Sequence, residues 1–209
     1  VGTFGWRFTY ERIFQARGVT DQPRRHATDV KSNMLGFGYP EYGRLRKVLM
    51  HAPGNELDLI SPARYHRFLF EDAIDPKQFR IQHESLVSLL RSEGVEVFLL
   101  TDLLRQNAAL LKSIEEDPNT VYTRDAVTVT RNGFIAMRMR SPVRQHEPRI
   151  IEAAMHQLNI REFMKTKKPA TMEGGDLIFL DEETLFMGVG NRTGWNGFQQ
   201  LRRAGEQSG

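Results

Sequence analysis

From about residue 43 onward, the apolar positions of the chain fall into two alternating periods. Residues 45–50 form a short apolar stretch closed by His51-Ala52-Pro53-Gly54, which predicts a strand ended by a Pro-Gly turn. Phe79, Leu86, Leu89 and Leu90 then recur at helical spacing up to Glu93, and Gly94 supplies a stop. Residues 95–100 predict a second strand and residues 101–116 a helix. The scheme then repeats. Residues 126–130 and 134–139 flank Arg131-Asn132-Gly133, and Asn-Gly between apolar alternations predicts a hairpin. A helix is expected over residues 147–158 and a strand near residues 160–164. Another hairpin is expected from residues 177–180, through Asp181-Glu182-Glu183, to residues 185–189, with a helix opening near Trp195.

The hairpins start about fifty residues apart, which reads as a ββαβ unit repeated at weak identity, its third copy ending inside the helix. The expected class is therefore α/β. An incomplete repeat leaves apolar faces and a strand edge uncovered, which predicts a homo-oligomer or a complementary chain. Residues 1–42 mix Arg, Gly and aromatics (Phe4, Trp6, Phe8, Tyr10, Phe14) without a clean period, and are read as an N-terminal extension packing on something else. Residues 43–209 are the main domain.

Composition narrows the class. A chain of 209 residues with 40% hydrophobic and 26% charged residues matches an ordinary soluble globular domain. There is no apolar run long enough for a bilayer and no signal-peptide pattern near the start, so a cytoplasmic protein without a membrane partner is expected. The net charge of +3 is unevenly spread. Residues 1–50 carry nine basic and four acidic groups, and the remainder twenty basic and twenty-two acidic, so the main body is nearly neutral. A nucleic-acid module would instead carry a basic face on its folded core, and no nucleic-acid partner is expected. The absence of cysteine excludes disulfides, thiolate metal sites and, above all, a cysteine nucleophile from this sequence.

Two segments concentrate candidate chemistry. In Asp117-Pro118-Asn119-Thr120-Val121-Tyr122-Thr123-Arg124-Asp125 a turn feeds a strand through an Arg-Asp pair. In Met172-Glu173-Gly174-Gly175-Asp176 two glycines between two carboxylates lead into an apolar strand, where they permit close backbone approach. Asp125 and Glu173 open equivalent strands of successive repeats, so pseudo-symmetry brings both carboxylates to one end. Converging carboxylates need a cation or a shared proton. A guanidinium fork is the organic cation best matched to them. A metal is the competing reading, but no His-rich or closely spaced carboxylate set accompanies the pair, and no metal or other cofactor is expected.

The stretch Gly43-Arg44-Leu45-Arg46-Lys47-Val48-Leu49-Met50-His51-Ala52-Pro53-Gly54 resembles the opening strand of arginine deiminases, in the pentein superfamily of guanidino-group-modifying enzymes. Leu69-Phe70-Glu71-Asp72, residues 94–104, Pro118-Asn119 with Thr123-Arg124-Asp125, Glu173-Gly174-Gly175-Asp176 and Asn191-Arg192-Thr193 follow in the family's order, so the resemblance covers about residues 43–203. It implies an α/β propeller of five ββαβ modules, of which this chain holds about three. It also implies that Asp125 and Glu173 grip a substrate guanidinium. Asn119, six residues before Asp125, and Arg144 and Arg192, each nineteen residues after one carboxylate, would hold the amino-acid end. The implied substrate is L-arginine, hydrolysed to L-citrulline and ammonia through a covalent amidino-cysteine. The family's Cys and His-x-Asp pair have no counterpart here: none of His26, His51, His66, His83, His146 and His156 has an Asp two residues later. His51 and His146 are read as turn or surface groups. The expectation is an N-terminal portion of such a hydrolase, inactive by itself. The alternatives are a truncated homologue that binds arginine or serves as a structural subunit, and a methylarginine hydrolase or amidinotransferase.

Overall fold

The structure is a computed structural model and describes residues 41–180 and 184–206. Residues 1–40 of the expected extension, the turn at Asp181-Glu182-Glu183 and residues 207–209 lie outside the described residues.

Strand β1 (Lys47–Met50) runs parallel to β2 (Glu96–Leu99), and helix α1 (Pro76–Ser92) joins them. The start of α1 is written in its sequence. Asp75 accepts hydrogen bonds from the backbone N–H groups of Lys77 and Gln78, and Pro76 stands at the first position, where its missing N–H is no loss. Gly94, with φ of +78°, ends the connection in the left-handed region. The single helix expected over residues 101–116 is instead two, α2 (Leu100–Leu103) and α3 (Ala108–Glu115). The break has a local cause: the Asn107 side chain accepts from Leu110 N–H at 3.1 Å, capping a new helix instead of continuing the old one.

After the short helix α4 (Thr123–Ala126), β3 (Val127–Thr130) and β4 (Gly133–Ala136) form the expected hairpin, with Thr130 opposite Gly133. Helix α5 (Glu147–Gln157) then returns the chain to β5 (Glu162–Lys165), which pairs parallel to β4 and completes a ββαβ unit. All four residues of β4 are buried. Phe134 and Ala136 pack with Ile150, Ile151 and Met155, while Ile135 packs with Met164, Met172, Leu177 and Leu201. Period-two alternation thus sends both faces of one strand into two core layers.

β6 (Leu177–Phe179) and β7 (Leu185–Met187) are antiparallel, and α6 (Trp195–Glu206) follows. Among the described residues the sheets have two, three and two strands, and the middle repeat shows all three strands of a ββαβ unit. No described helix is long and apolar enough to cross a membrane.

Candidate functional site

Asp125 and Glu173 were expected at the mouths of strands. They stand instead in short helical turns just before them: Asp125 within α4, ahead of β3, and Glu173 capping the turn Gly174–Asp176, ahead of β6. The two turns are tied together. Arg124 donates from Nη2 to Leu177 O at 2.9 Å and from Nε to Gly174 O at 3.4 Å, and a further Nη2 contact reaches Glu41 Oε1 at 2.6 Å. Glu41 also accepts from Phe179 N–H at 3.1 Å. Gly174 is required at this joint, because a Cβ there would run into the Arg124 carbonyl oxygen and the Thr128 hydroxyl.

Upstream, Asp117 caps the turn Pro118–Val121 by accepting from Asn119 N–H at 2.9 Å, and the buried Asn119 amide bonds the same oxygen at 3.3 Å. Asn119, Asp125, Arg144, Glu173 and Arg192 all line one cleft of about 320 Å³, together with Leu69, Tyr122, Gly175 and Asp176. The structure therefore brings all five sequence-selected residues together.

Both arginines aim at carboxylates of the protein. Arg144 ends the turn Pro142–Arg144, just before α5, and its Nε and Nη2 donate to the two oxygens of Glu147 at 2.6 and 2.8 Å. Its Nη1 donates to Asp125 Oδ2 at 3.0 Å and lies 3.9 Å from Glu173 Oε2. The guanidinium carbon stands 5.7 Å from the centroid of the Tyr122 ring. Arg192 Nη1 donates to Glu173 Oε2 at 3.0 Å. The other Glu173 oxygen accepts from Arg140 N–H at 3.2 Å, and Glu173 N–H donates to the buried Thr193 hydroxyl at 3.0 Å. A guanidinium between paired carboxylates is thus already realised here, by Arg144.

Sequence reasoning left Glu147 unassigned, although the three-residue spacing from Arg144 at a helix start was a visible signal. Asp176 was noted only as part of its motif. His51 lies in the expected turn but is buried, with Nε2 donating to Glu56 Oε1 at 2.8 Å; that carboxylate also accepts from Gly54 N–H at 2.7 Å. Among the described residues no group of three or more His, Asp or Glu is placed to hold a metal ion.

Burial governs the protonation of this region. It pushes the Glu147 carboxyl up to about 7, against the opposing pull of Arg144. Burial likewise raises Asp176, helped by the charges of Glu173 and Asp125 against a hydrogen bond from Thr193. For Arg144 burial acts downward, but the hydrogen bonds and charges of Glu147 and Asp125 outweigh it and hold the guanidinium more firmly charged. The hydrogen bond to Asp117, 3.2 Å away, raises His146 against a smaller effect of burial. A group whose folded pKa is raised stabilises the fold below its unfolded pKa, and that contribution is lost as pH climbs through the folded value. Glu147, Asp176 and His146 all act in this sense. The melting temperature should therefore fall from about pH 4.5 to about pH 7, the interval over which the Glu147 contribution is lost, and Glu147→Gln should flatten the slope. Thermal melts across that range check this, and a wild-type slope that is flat or rising would contradict it.

A profile of the arginine deiminase family matches residues 66–111 and 107–208. The arginine deiminase of Metamycoplasma hominis is 26% identical over 221 residues, covering 74% of this chain and 54% of its own. An uncharacterized Bacillus subtilis protein, YkgA, is 31% identical over 166 residues, covering 78% of this chain and 52% of its own. The chain spans about half the length of the curated relatives it matches. Among solved structures, a dimethylarginine dimethylaminohydrolase from Pseudomonas aeruginosa, a mutant complexed with citrulline, superimposes with a TM-score of 0.60 at 20% identity, over 78% of this chain and 57% of that one. Another dimethylarginine dimethylaminohydrolase, an adduct with 4-chloro-2-hydroxymethylpyridine, gives 0.59 at 20% identity over the same shares. The fold is thus the α/β pentein type of these hydrolases, and the chain belongs to the arginine deiminase family.

Proposed function

We propose that the cleft binds the guanidinium group of L-arginine, and that the complete protein hydrolyses L-arginine to L-citrulline and ammonia. The observation that carries this reading is the placement of Arg144 Nη1 at 3.0 Å from Asp125 and 3.9 Å from Glu173, which marks a point where two carboxylates already accommodate a guanidinium nitrogen. In this reading Asp125 and Glu173 orient the ligand guanidinium, while Asn119, Arg144 and Arg192 serve its amino-acid end. The reaction breaks one C–N bond of the guanidinium and forms a C–O bond from water, with the leaving nitrogen protonated to ammonia. A covalent amidino-cysteine route needs a thiolate and an acid/base group. This sequence contains no cysteine, so those groups come from outside it. The chain alone therefore binds without turnover, which is also what a non-catalytic arginine-binding subunit would do.

Methylarginine hydrolysis and amidino transfer would use the same carboxylate pair and differ in the groups around it. The repeats, of which the middle one is a full ββαβ unit, are read as about three of five modules of a propeller, completed by further chain or by another copy, in a cytoplasmic enzyme of arginine metabolism. Calorimetric titration of the chain with L-arginine tests the clamp. Glu173→Ala and Asp125→Ala should each lower affinity about tenfold or more, the scale of a lost charged hydrogen bond. Unchanged affinity in both variants would remove the carboxylates from the site.

A further inference from the structure

Asp117 is a buried carboxylate beside the cleft whose two oxygens face different elements. Its Oδ1 takes both Asn119 donors, the backbone N–H at 2.9 Å and the side-chain Nδ2 at 3.3 Å. Its Oδ2 is buried as well, accepts no hydrogen bond from any other described residue, and faces His146 Nε2 at 3.2 Å. The pair bridges two turns: Asp117 caps Pro118–Val121, and His146 stands at the start of α5, between Arg144 and Glu147. The Asp117 side chain is 1% exposed and that of His146 39%, so the anion is sunk while its partner remains open to water. The hydrogen bond to Asp117, joined by the charges of Asp117, Glu147 and Glu116, favours the protonated ring over the opposing effect of burial.

A primary amide has a donor end and an acceptor end. With Nδ2 turned to Asp117, Asn119 keeps its Oδ1 for another donor, and Asn119 lines the cleft. The 3.3 Å bond that sets this orientation is long, so it lasts only while the Asp117 carboxylate keeps its plane. That plane is fixed from both ends, by the Asn119 turn at Oδ1 and by His146 at Oδ2. A buried carboxylate oxygen without a partner is costly, and the group turns toward the nearest donor instead. We propose that His146 is a positioning residue for the cleft, which acts through Asp117 to lock the Asn119 amide with its oxygen free for a ligand amine. This rests on reading the cleft as an arginine site with Asn119 at the amino-acid end. The guanidinium end is held by other bonds, from Arg144 to Asp125 and from Arg192 to Glu173. Loss of His146 therefore falls on one end of the ligand and spares the other.

The test is calorimetric titration of the 209-residue chain, as wild type, His146→Ala and His146→Gln. The two ligands are L-arginine and des-amino-arginine, which keeps the guanidinium and the carboxylate and lacks the α-amine. His146→Ala should bind L-arginine about three- to tenfold more weakly, the scale of one hydrogen bond, and des-amino-arginine within about twofold of wild type. His146→Gln places an amide N–H within reach of Asp117 Oδ2 and should bring L-arginine back to within about twofold of wild type. Equal weakening of both ligands, or no rescue by His146→Gln, would overturn the positioning role. If His146→Ala binds L-arginine as well as wild type does, the positioning role is wrong and the arginine site stands. If the wild type binds neither ligand, the arginine reading falls, and the role of His146 falls with it.

Discussion

Glu147→Ala is expected to destabilise the chain by about 3–5 kcal/mol, the range for removing one partner of a buried ion pair. The Glu147 side chain is 1% exposed and receives two of the three donor positions Arg144 uses. Without it, a buried guanidinium keeps only its contacts with Asp125 and Glu173. The freed edge should turn further onto those two carboxylates and compete with any cationic ligand, so arginine affinity should fall together with stability. The double replacement Arg144→Met with Glu147→Leu should recover most of the lost stability, because it removes both charges and fills the volume. It should not recover binding. Urea denaturation of the single and double variants measures this directly. A single variant within about 1 kcal/mol of wild type would show that water or another acceptor already satisfies Arg144.

The two glycines between Glu173 and Asp176 should respond in opposite ways. At Gly174 an alanine methyl meets the Arg124 carbonyl oxygen, part of the α4 backbone, and the Thr128 hydroxyl. The carbonyl cannot retreat without moving α4 against the Gly174–Asp176 turn, so a cost of about 3 kcal/mol or more is expected, at the upper end for overpacking. At Gly175 the nearest atom is Asp125 Oδ1, 2.7 Å from the position of a Cβ, and it is the free end of a side chain. Gly175→Ala should therefore cost less than about 1 kcal/mol in stability while displacing Asp125 and weakening arginine binding. Melting curves and titrations of both variants separate the cases. Equal losses of stability would mean that the joint between the turns is looser than its contacts indicate.

Legibility in the sequence followed length and locality. The Asn132-Gly133 hairpin, α5 and the start of α6 were readable because each rests on a local signal several residues long. The expected helix over residues 101–116 was overcalled, since apolar spacing continues through Asn107 while its side chain caps a new helix. The helical turns holding Asp125 and Glu173 are too short to carry any period, so their strands seemed to begin sooner. The five candidate residues stand out in the sequence through motif order and the nineteen-residue spacings, and they line one cleft. Their ionic partners were not legible. That Arg144 faces Glu147 and Arg192 faces Glu173 depends on how turns from different repeats meet, which no single stretch encodes. Glu147 came closest to being found, since its spacing from Arg144 lies within one helix start.

The contacts of Glu41 have a bearing on how the molecule assembles. Its carboxylate reaches Arg124, 83 positions away, and Phe179, 138 positions away, at exposed sites. Closing a chain segment costs entropy that grows with its length, each doubling adding about 0.6 kcal/mol, whereas an exposed ion pair returns at most about 1 kcal/mol. Such a contact cannot organise an unfolded chain. The pairings of β3, β4 and β5 are far more local, and local pairings are the ones that form early. Glu41 is therefore a late fastening, closed after the turns around Arg124 and Phe179 have docked.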